Sequence, residues 1–227
     1  MSLAGKHIAI TGANGGLGCA AVEQALAQGA RVAMLDIEVN EQLFANHDAV
    51  HRYAVDLCDE AATRACFESL GPVDALLNIA GGFDMGTPVH ETTDEQMASM
   101  FRINVTTMRN AVAAAVPAML KQGQGAVVNV GALGAQQGAA DMGAYIASKS
   151  SVMRLTESMS EELKDRGVRV NAVLPSVIDT PANRQAMPDA EFDRWVAPRD
   201  LAAVMLFLCS DAASAVHGAL IPVKNRV

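Results

Sequence analysis

Tyr145 and Lys149 stand four residues apart in the run Tyr145-Ile-Ala-Ser-Lys149. On a helix that spacing puts both side chains on one face, one turn from each other. An ammonium beside a phenol stabilises the phenolate, so the lysine is expected to lower the tyrosine's pKa from about 10 toward neutral. Tyr145 then serves as a proton donor at working pH. The same spacing also fits two plain surface residues, and the rest of the chain decides between the readings. Near the start, Thr11-Gly12-Ala-Asn14-Gly-Gly16-Leu17-Gly18 follows a short apolar run and precedes a helical pattern. Glycines there permit a tight turn and let the backbone approach a pyrophosphate, which rests on the helix N-terminus. Asp36 ends the next apolar run. A carboxylate at that point accepts hydrogen bonds from adenosine ribose hydroxyls and repels a 2′-phosphate; a helix-cap or turn aspartate is the alternative. A dinucleotide cradle and a proton donor together point to oxidoreduction.

The elements that must position these groups alternate along the chain. Short apolar runs at 6–11, 29–36, 50–55, 73–77, 125–130, 168–174 and 219–223 read as strands. Helical patterns fill 19–28, 60–70, 92–122, 141–163 and 199–209, with Asp59 able to cap the second and Thr93 or Asp94 the third. Met97, Met100, Phe101, Val105, Met108 and Val112 recur at helical spacing, a core or interface stripe. Strand and helix in alternation predict one α/β domain over 1–227, a Rossmann-type doubly wound parallel sheet of about seven strands. The stretch 183–198, within a wider segment 176–198, carries the only tryptophan, Trp195. It reads as a short lid, or as a surface loop with one apolar anchor.

The glycine turn, Asp36, Asn78-Ile-Ala80-Gly81 and the Tyr145–Lys149 pair together resemble the short-chain dehydrogenase/reductase family, and the resemblance covers the whole chain. It implies a nicotinamide-dependent oxidoreductase. It further implies that Asp56 contacts adenine with the Leu57 backbone assisting, while Asp59 remains a helix cap. Asn78, Ala80 and Gly81 would let cofactor pack against the chain. Asn104 would hold a water in a proton relay, and Lys149 would bind the nicotinamide ribose. Pro175 and Thr180 would hold the nicotinamide amide or pyrophosphate. Relatives that prefer NADP place a base at 13–15 or just after the strand-end acid. Here Ile37 and Glu38 follow Asp36, so NAD(H) is favoured over NADP(H). The sequence departs from the family pattern at Ile79, where a second Asn is usual, and at Ser176, where Gly is usual.

The departure of most consequence is Ala132. The family carries a serine thirteen residues before the tyrosine, and its hydroxyl polarises the substrate carbonyl. Loss of such a donor costs roughly 2.7–4 kcal/mol of transition-state stabilisation if nothing replaces it. No Ser or Thr lies between Gly131 and Gly143, which leaves Gln136 and Gln137 as stand-ins. One branch of the family, the dihydropteridine reductases, also has alanine there and keeps the Tyr–Lys pair. The segments 80–83, 141–149 and 173–195 resemble that branch. This implies NADH-dependent hydride transfer to an activated conjugated acceptor such as quinonoid dihydropteridine, in a pocket formed by Ala132, Tyr145 and Trp195. A ketone reductase or alcohol dehydrogenase without the serine is the enzymatic alternative. A non-catalytic NAD(H)-binding sensor or scaffold is the other.

Composition narrows the partners. A net charge of -8 with no basic cluster argues against nucleic acid. The longest uncharged apolar runs, 111–120 and 201–209, fall short of the ~20 residues that span a bilayer. Cys19, Cys58, Cys66 and Cys209 show no paired framework or metal-ligand spacing, so reduced thiols in a cytoplasmic protein without signal peptide or metal site are expected. Family members associate through the helices at about 94–122 and 141–165, which implies a homodimer or homotetramer with a small-molecule substrate.

Overall fold

The structure, a computed structural model, describes residues 2–226. Seven strands form one parallel sheet: β1 His7–Thr11, β2 Arg31–Asp36, β3 Val50–Ala54, β4 Ala75–Asn78, β5 Gly125–Val130, β6 Val168–Pro175 and β7 Leu220–Val223. Their order across the sheet is β3-β2-β1-β4-β5-β6-β7. The chain winds outward from β1 to β3, then crosses back to place β4 on the other side of β1. That reversal is the topological switch point at which ligands bind in open α/β sheets.

The central strands are buried on both faces, which explains why they read as unbroken apolar runs. Alternate residues feed opposite layers. Ile8 and Ile10 of β1 join a core with Leu17, Ala21, Val22 and Ala25 of α1 (Gly16–Ala27) and with Leu201, Met205 and Leu208 of α7 (Pro198–Cys209). Ala9 faces the other way. It joins a core built with Phe67 and Leu70 of α2 (Glu60–Leu70), Ala111, Ala115 and Met119 of α4 (Thr107–Gln122) and Leu163 of α5 (Gly143–Leu163). Among the described residues no helix is long and apolar enough to cross a membrane.

Element boundaries differ from expectation at three places, each for a local reason. Helix α1 starts at Gly16, inside the glycine turn. The expected 92–122 helix is two helices joined by a π-helical turn. Helix α3 (Asp94–Phe101) opens on a Thr93–Gln96 capping box, so Thr93 rather than Asp94 is the cap. The π turn covers Arg102–Thr106, and α4 follows. An inserted residue of this kind is frequent at functional sites. Helix α5 starts at Gly143 rather than 141, because Asp141 takes a left-handed conformation (φ 59°). The segment 176–198 contains one short helix, α6 (Pro181–Ala186), capped by Thr180.

Candidate active site

A cleft of about 1120 Å³ runs across the carboxyl ends of the strands. Its nucleotide end is formed by the β1–α1 turn. Gly12 has φ 64°, and a Cβ there would lie 2.8 Å from the Ala80 backbone nitrogen. A Cβ on Gly18 would lie 2.2 Å from the Gly12 carbonyl oxygen. Only glycine lets the turn, the helix and the β4 end come this close. No side chain caps the N-terminus of α1, and its first turn has no acidic residue. Gly15, Gly16, Leu17 and Gly18 line the cleft, so this end fits a pyrophosphate.

Asp36 sits beside that turn. Its Oδ2 accepts a hydrogen bond from the Asn14 backbone at 2.9 Å, and its Oδ1 accepts one from Ile37 at 2.8 Å. Each oxygen keeps capacity for a further donor. Asp56 accepts from the Cys58 backbone at 2.8 Å and lines the cleft with Leu57. Asp59 caps α2 by accepting from Ala62. The charged residues lining the cleft are Asp36, Asp56 and Lys149.

The other end of the cleft holds Tyr145 and Lys149, successive on one face of α5. Lys149 is 7% exposed, and its Nζ donates to the Val130 carbonyl at 2.9 Å. Burial disfavours its charge and pulls its pKa down to about 8. Tyr145 is half-buried, with Phe83 edge-on at 4.8 Å between ring centroids. Burial pushes its pKa up to about 12. This differs from the expectation that Lys149 lowers the tyrosine toward neutrality: burial is the cause of the shift, and it acts upward. Tyr145 therefore holds its proton at neutral pH and is a donor, not a base.

Ala132 is buried in an apolar cluster with Ala135, Ile146, Met153, Ala172 and Leu174, and lines the cleft beside Tyr145. Gln136 and Gln137 are exposed and line no part of it, which removes them as replacements for the family serine. Gly81 and Ala80 line the cleft, as does Pro175.

Five residues expected at the site lie behind its walls. Thr11 Oγ1 accepts from the Ile79 and Ala80 backbones at 3.0 and 3.1 Å, tying β1 to the end of β4. Asn78 donates to Asn129 at 2.8 Å, and Asn129 donates to Thr156 of α5 at 2.9 Å. This buried ladder holds the tyrosine helix against the sheet. Asn104, in the π turn, accepts from the Gly82 N–H at 3.0 Å. It also donates to the Gly82 carbonyl and to Ser148, each at 3.1 Å. Thr180 packs its methyl group toward Gly16 while capping α6. Trp195, expected in the substrate pocket, is 6% exposed, stacks edge-on with Phe192 and is outside the cleft lining. Its size and apolar character serve to anchor the segment to the core.

Sequence reasoning missed Met85, Met142, Ile103 and Met187, which line the cleft. Met85, Met142 and Met187 come from loops, where no periodicity marks them, and Ile103 comes from the π turn, which breaks the helical period. Among the described residues no group of three or more His, Cys, Asp or Glu is placed to hold a metal ion.

Comparison with known proteins agrees with this geometry. A family model described as short chain dehydrogenase matches residues 6–191. The chain is 33% identical to a 2-(R)-hydroxypropyl-CoM dehydrogenase of Xanthobacter autotrophicus, over 92% of this chain and 93% of that one. Among solved structures it is similar to a 3-ketoacyl-(acyl-carrier-protein) reductase from Brucella melitensis complexed with NADH (27% identity, TM-score 0.89, 99% of each chain). It is also similar to a candidate NAD(P)-dependent gluconate 5-dehydrogenase from Beutenbergia cavernae with NADP bound at low occupancy (29% identity, TM-score 0.90, 99% of this chain and 97% of that one).

Proposed function

The chain belongs to the short-chain dehydrogenase family, and we propose that within it the protein is an NADH-dependent reductase of an activated, conjugated acceptor, with quinonoid dihydropteridine the first to test. The observation that carries this reading is Ala132: an apolar side chain in an apolar cluster where the family has a hydroxyl. With Gln136 and Gln137 outside the cleft, Tyr145 is left to polarise the acceptor without the usual serine. A plain ketone then lacks one donor, whereas an electron-poor quinonoid system takes hydride without it.

When bound, the dinucleotide supplies the hydride. Gly12 to Gly18 hold its pyrophosphate, and Asp36 takes the adenosine ribose. Asp56 and Leu57 receive the adenine. Lys149 would hold the nicotinamide ribose, while Pro175 would border the nicotinamide and Thr180 would support that wall from behind. Asn104 acts behind the site through Gly82. The acceptor would gain a hydride from the bound dinucleotide and one proton, which would leave Tyr145 Oη and be replaced from solvent. NADH is preferred to NADPH because Asp36 repels a 2′-phosphate and no cation lines that end. The segment 176–198 acts as a lid, and four free thiols fit a reducing, cytoplasmic setting.

The test is stopped-flow NADH oxidation with freshly generated quinonoid dihydropteridine, beside Tyr145→Phe. Turnover that falls roughly 10²–10⁴-fold in the variant supports the reading, since that is the usual reach of a positioned acid. The similarity to a hydroxypropyl-CoM dehydrogenase favours a second reading, a ketone or alcohol substrate. Ala132→Ser separates them, because it raises ketone turnover under the second reading and does little under the first. NADH binding with no turnover of any acceptor would instead indicate a sensor.

A further inference from the structure

We propose that the acceptor end of the cleft is specified by Met85 and Met187, with Phe83, for the face of an uncharged planar ring. This rests on the reading above and narrows it.

Eight large apolar side chains are exposed among the described residues, and five of them line the one cleft: Ile37, Phe83, Met85, Ile103 and Met187. Scattered exposed apolar residues need no explanation, but a concentration around a concave site marks what the site covers. Ile37 belongs to the nucleotide end, next to Asp36. Ile103 packs against Gly82. Phe83, Met85 and Met187 remain, 55%, 59% and 40% exposed. Phe83 touches the Tyr145 ring, and Met85 and Met187 line the same cleft. The rim is held in place from two sides. Gly86 donates to the Asp141 carbonyl at 2.8 Å and Thr87 bridges to Met142, which fixes the 83–87 loop to the start of the tyrosine helix. Ile178 bridges to Val196, and Asp179 donates from its backbone to the Val196 carbonyl at 2.8 Å, which fixes the segment carrying Met187.

Charge at this end excludes an anionic substrate. Lys149 is buried, gives one donor to the Val130 carbonyl and, in the reading above, turns the rest to the nicotinamide ribose. The nearest cations of the 176–198 segment are also engaged. Arg184 pairs with Asp179 and stacks over Phe192 at 4.7 Å, and Arg194 pairs with Glu191 at 2.9 Å. Neither lines the cleft. A carboxylate, sulfonate or phosphate on the acceptor would lose water and gain no free cation in return. Unbranched methionines adapt to rings of different outline, which suits a hydrophobic face with few fixed polar contacts.

The test compares NADH-dependent reduction of 2-methyl-1,4-naphthoquinone, 1,4-naphthoquinone-2-sulfonate and quinonoid dihydropteridine, each corrected for the uncatalysed rate. The sulfonate is the stronger oxidant, so intrinsic reactivity works against the expected order. The neutral naphthoquinone is expected to have a kcat/KM at least about tenfold above the sulfonate, the scale of discrimination an apolar pocket supplies. In Met85→Ser/Met187→Ser that ratio collapses, with the loss falling on the acceptor's KM rather than on the KM for NADH. Phe83 is left intact because it contacts Tyr145. A second measurement needs no turnover: fluorescence titration of the NAD⁺-loaded protein with 1-aminoanthracene, where the double variant should bind roughly tenfold more weakly. Equal use of sulfonate and neutral quinone, or equal binding of 1-aminoanthracene by variant and wild type, overturns the proposal. Absence of turnover with binding lost in the variant refutes the reductase reading and leaves the apolar ring site standing.

Discussion

Lys149 is a buried cation with one hydrogen-bond partner, and that burial governs two measurable behaviours. The ammonium titrates at about 8 in the fold and at 10.5 in the unfolded chain. Between these values the unfolded chain holds more protons, so stability rises with pH from about 8 to 10.5 and is lost as pH falls back through 8. Lys149→Met is expected to remove that slope. At pH 7 it should be more stable than wild type in urea by up to about 3 kcal/mol, less the lost bond to Val130. NADH affinity should weaken in wild type as pH rises through 8 and be weaker and flat in the variant. Equal stability at pH 7 would show the ammonium already compensated in the fold. Tyr145, with its pKa pushed to about 12, stays protonated throughout this window. The sequence identified the pair by spacing. It did not indicate the direction of the tyrosine shift, because that depends on how much water the fold removes.

Asn104 and the π turn that carries it act at the scale of elements. The side chain makes three hydrogen bonds into two other segments, Gly82 and Ser148. Gly82 precedes Phe83, which contacts Tyr145, and Ser148 donates to the Tyr145 carbonyl at 2.7 Å. Asn104→Ala leaves the Gly82 N–H and carbonyl unpaired beside the site. The expected cost is about 1 kcal/mol, toward the low end of the range for an unsatisfied group, because Gly82 is only half-buried and lines the cleft. Asn104→Asp keeps the acceptor for the Gly82 N–H and should recover part of it. Thermal melting of the two variants checks this, and an alanine variant that melts with wild type would refute the pinning role. A mid-helix Asn is conspicuous in sequence for its poor propensity. The π turn is not, because one inserted residue leaves little trace in the apolar pattern on either side.

At the scale of the whole molecule, α4 exposes Ala113 and Pro117, flanked by Val112, Val116 and Leu120, which pack partly against the core. Together with α5, whose Leu155 is also exposed, this is a surface suited to self-association. We expect a homodimer or homotetramer by light scattering at micromolar concentration, and a monomer there would overturn the expectation. The high apolar content is used by a sheet covered on both faces, and an assembly, if light scattering finds it, would use the rest.

The order of elements, the seven-stranded parallel sheet, the glycine turn and the Tyr145–Lys149 pair were all legible in the sequence. Each depends on chemistry local to a few residues: a period of side chains, a glycine that no Cβ can replace, a spacing of one helical turn. Ala132 was legible as a missing hydroxyl for the same reason. Tertiary structure alone decided which of these residues meet the ligand. It put Thr11, Asn78, Asn104, Thr180 and Trp195 behind the walls, and brought Met85 and Met187 to the rim. Those two methionines lie about a hundred residues apart in loops without periodicity. Their place on the same cleft as Tyr145 arises from strand order and loop anchoring, neither of which a linear spacing can encode.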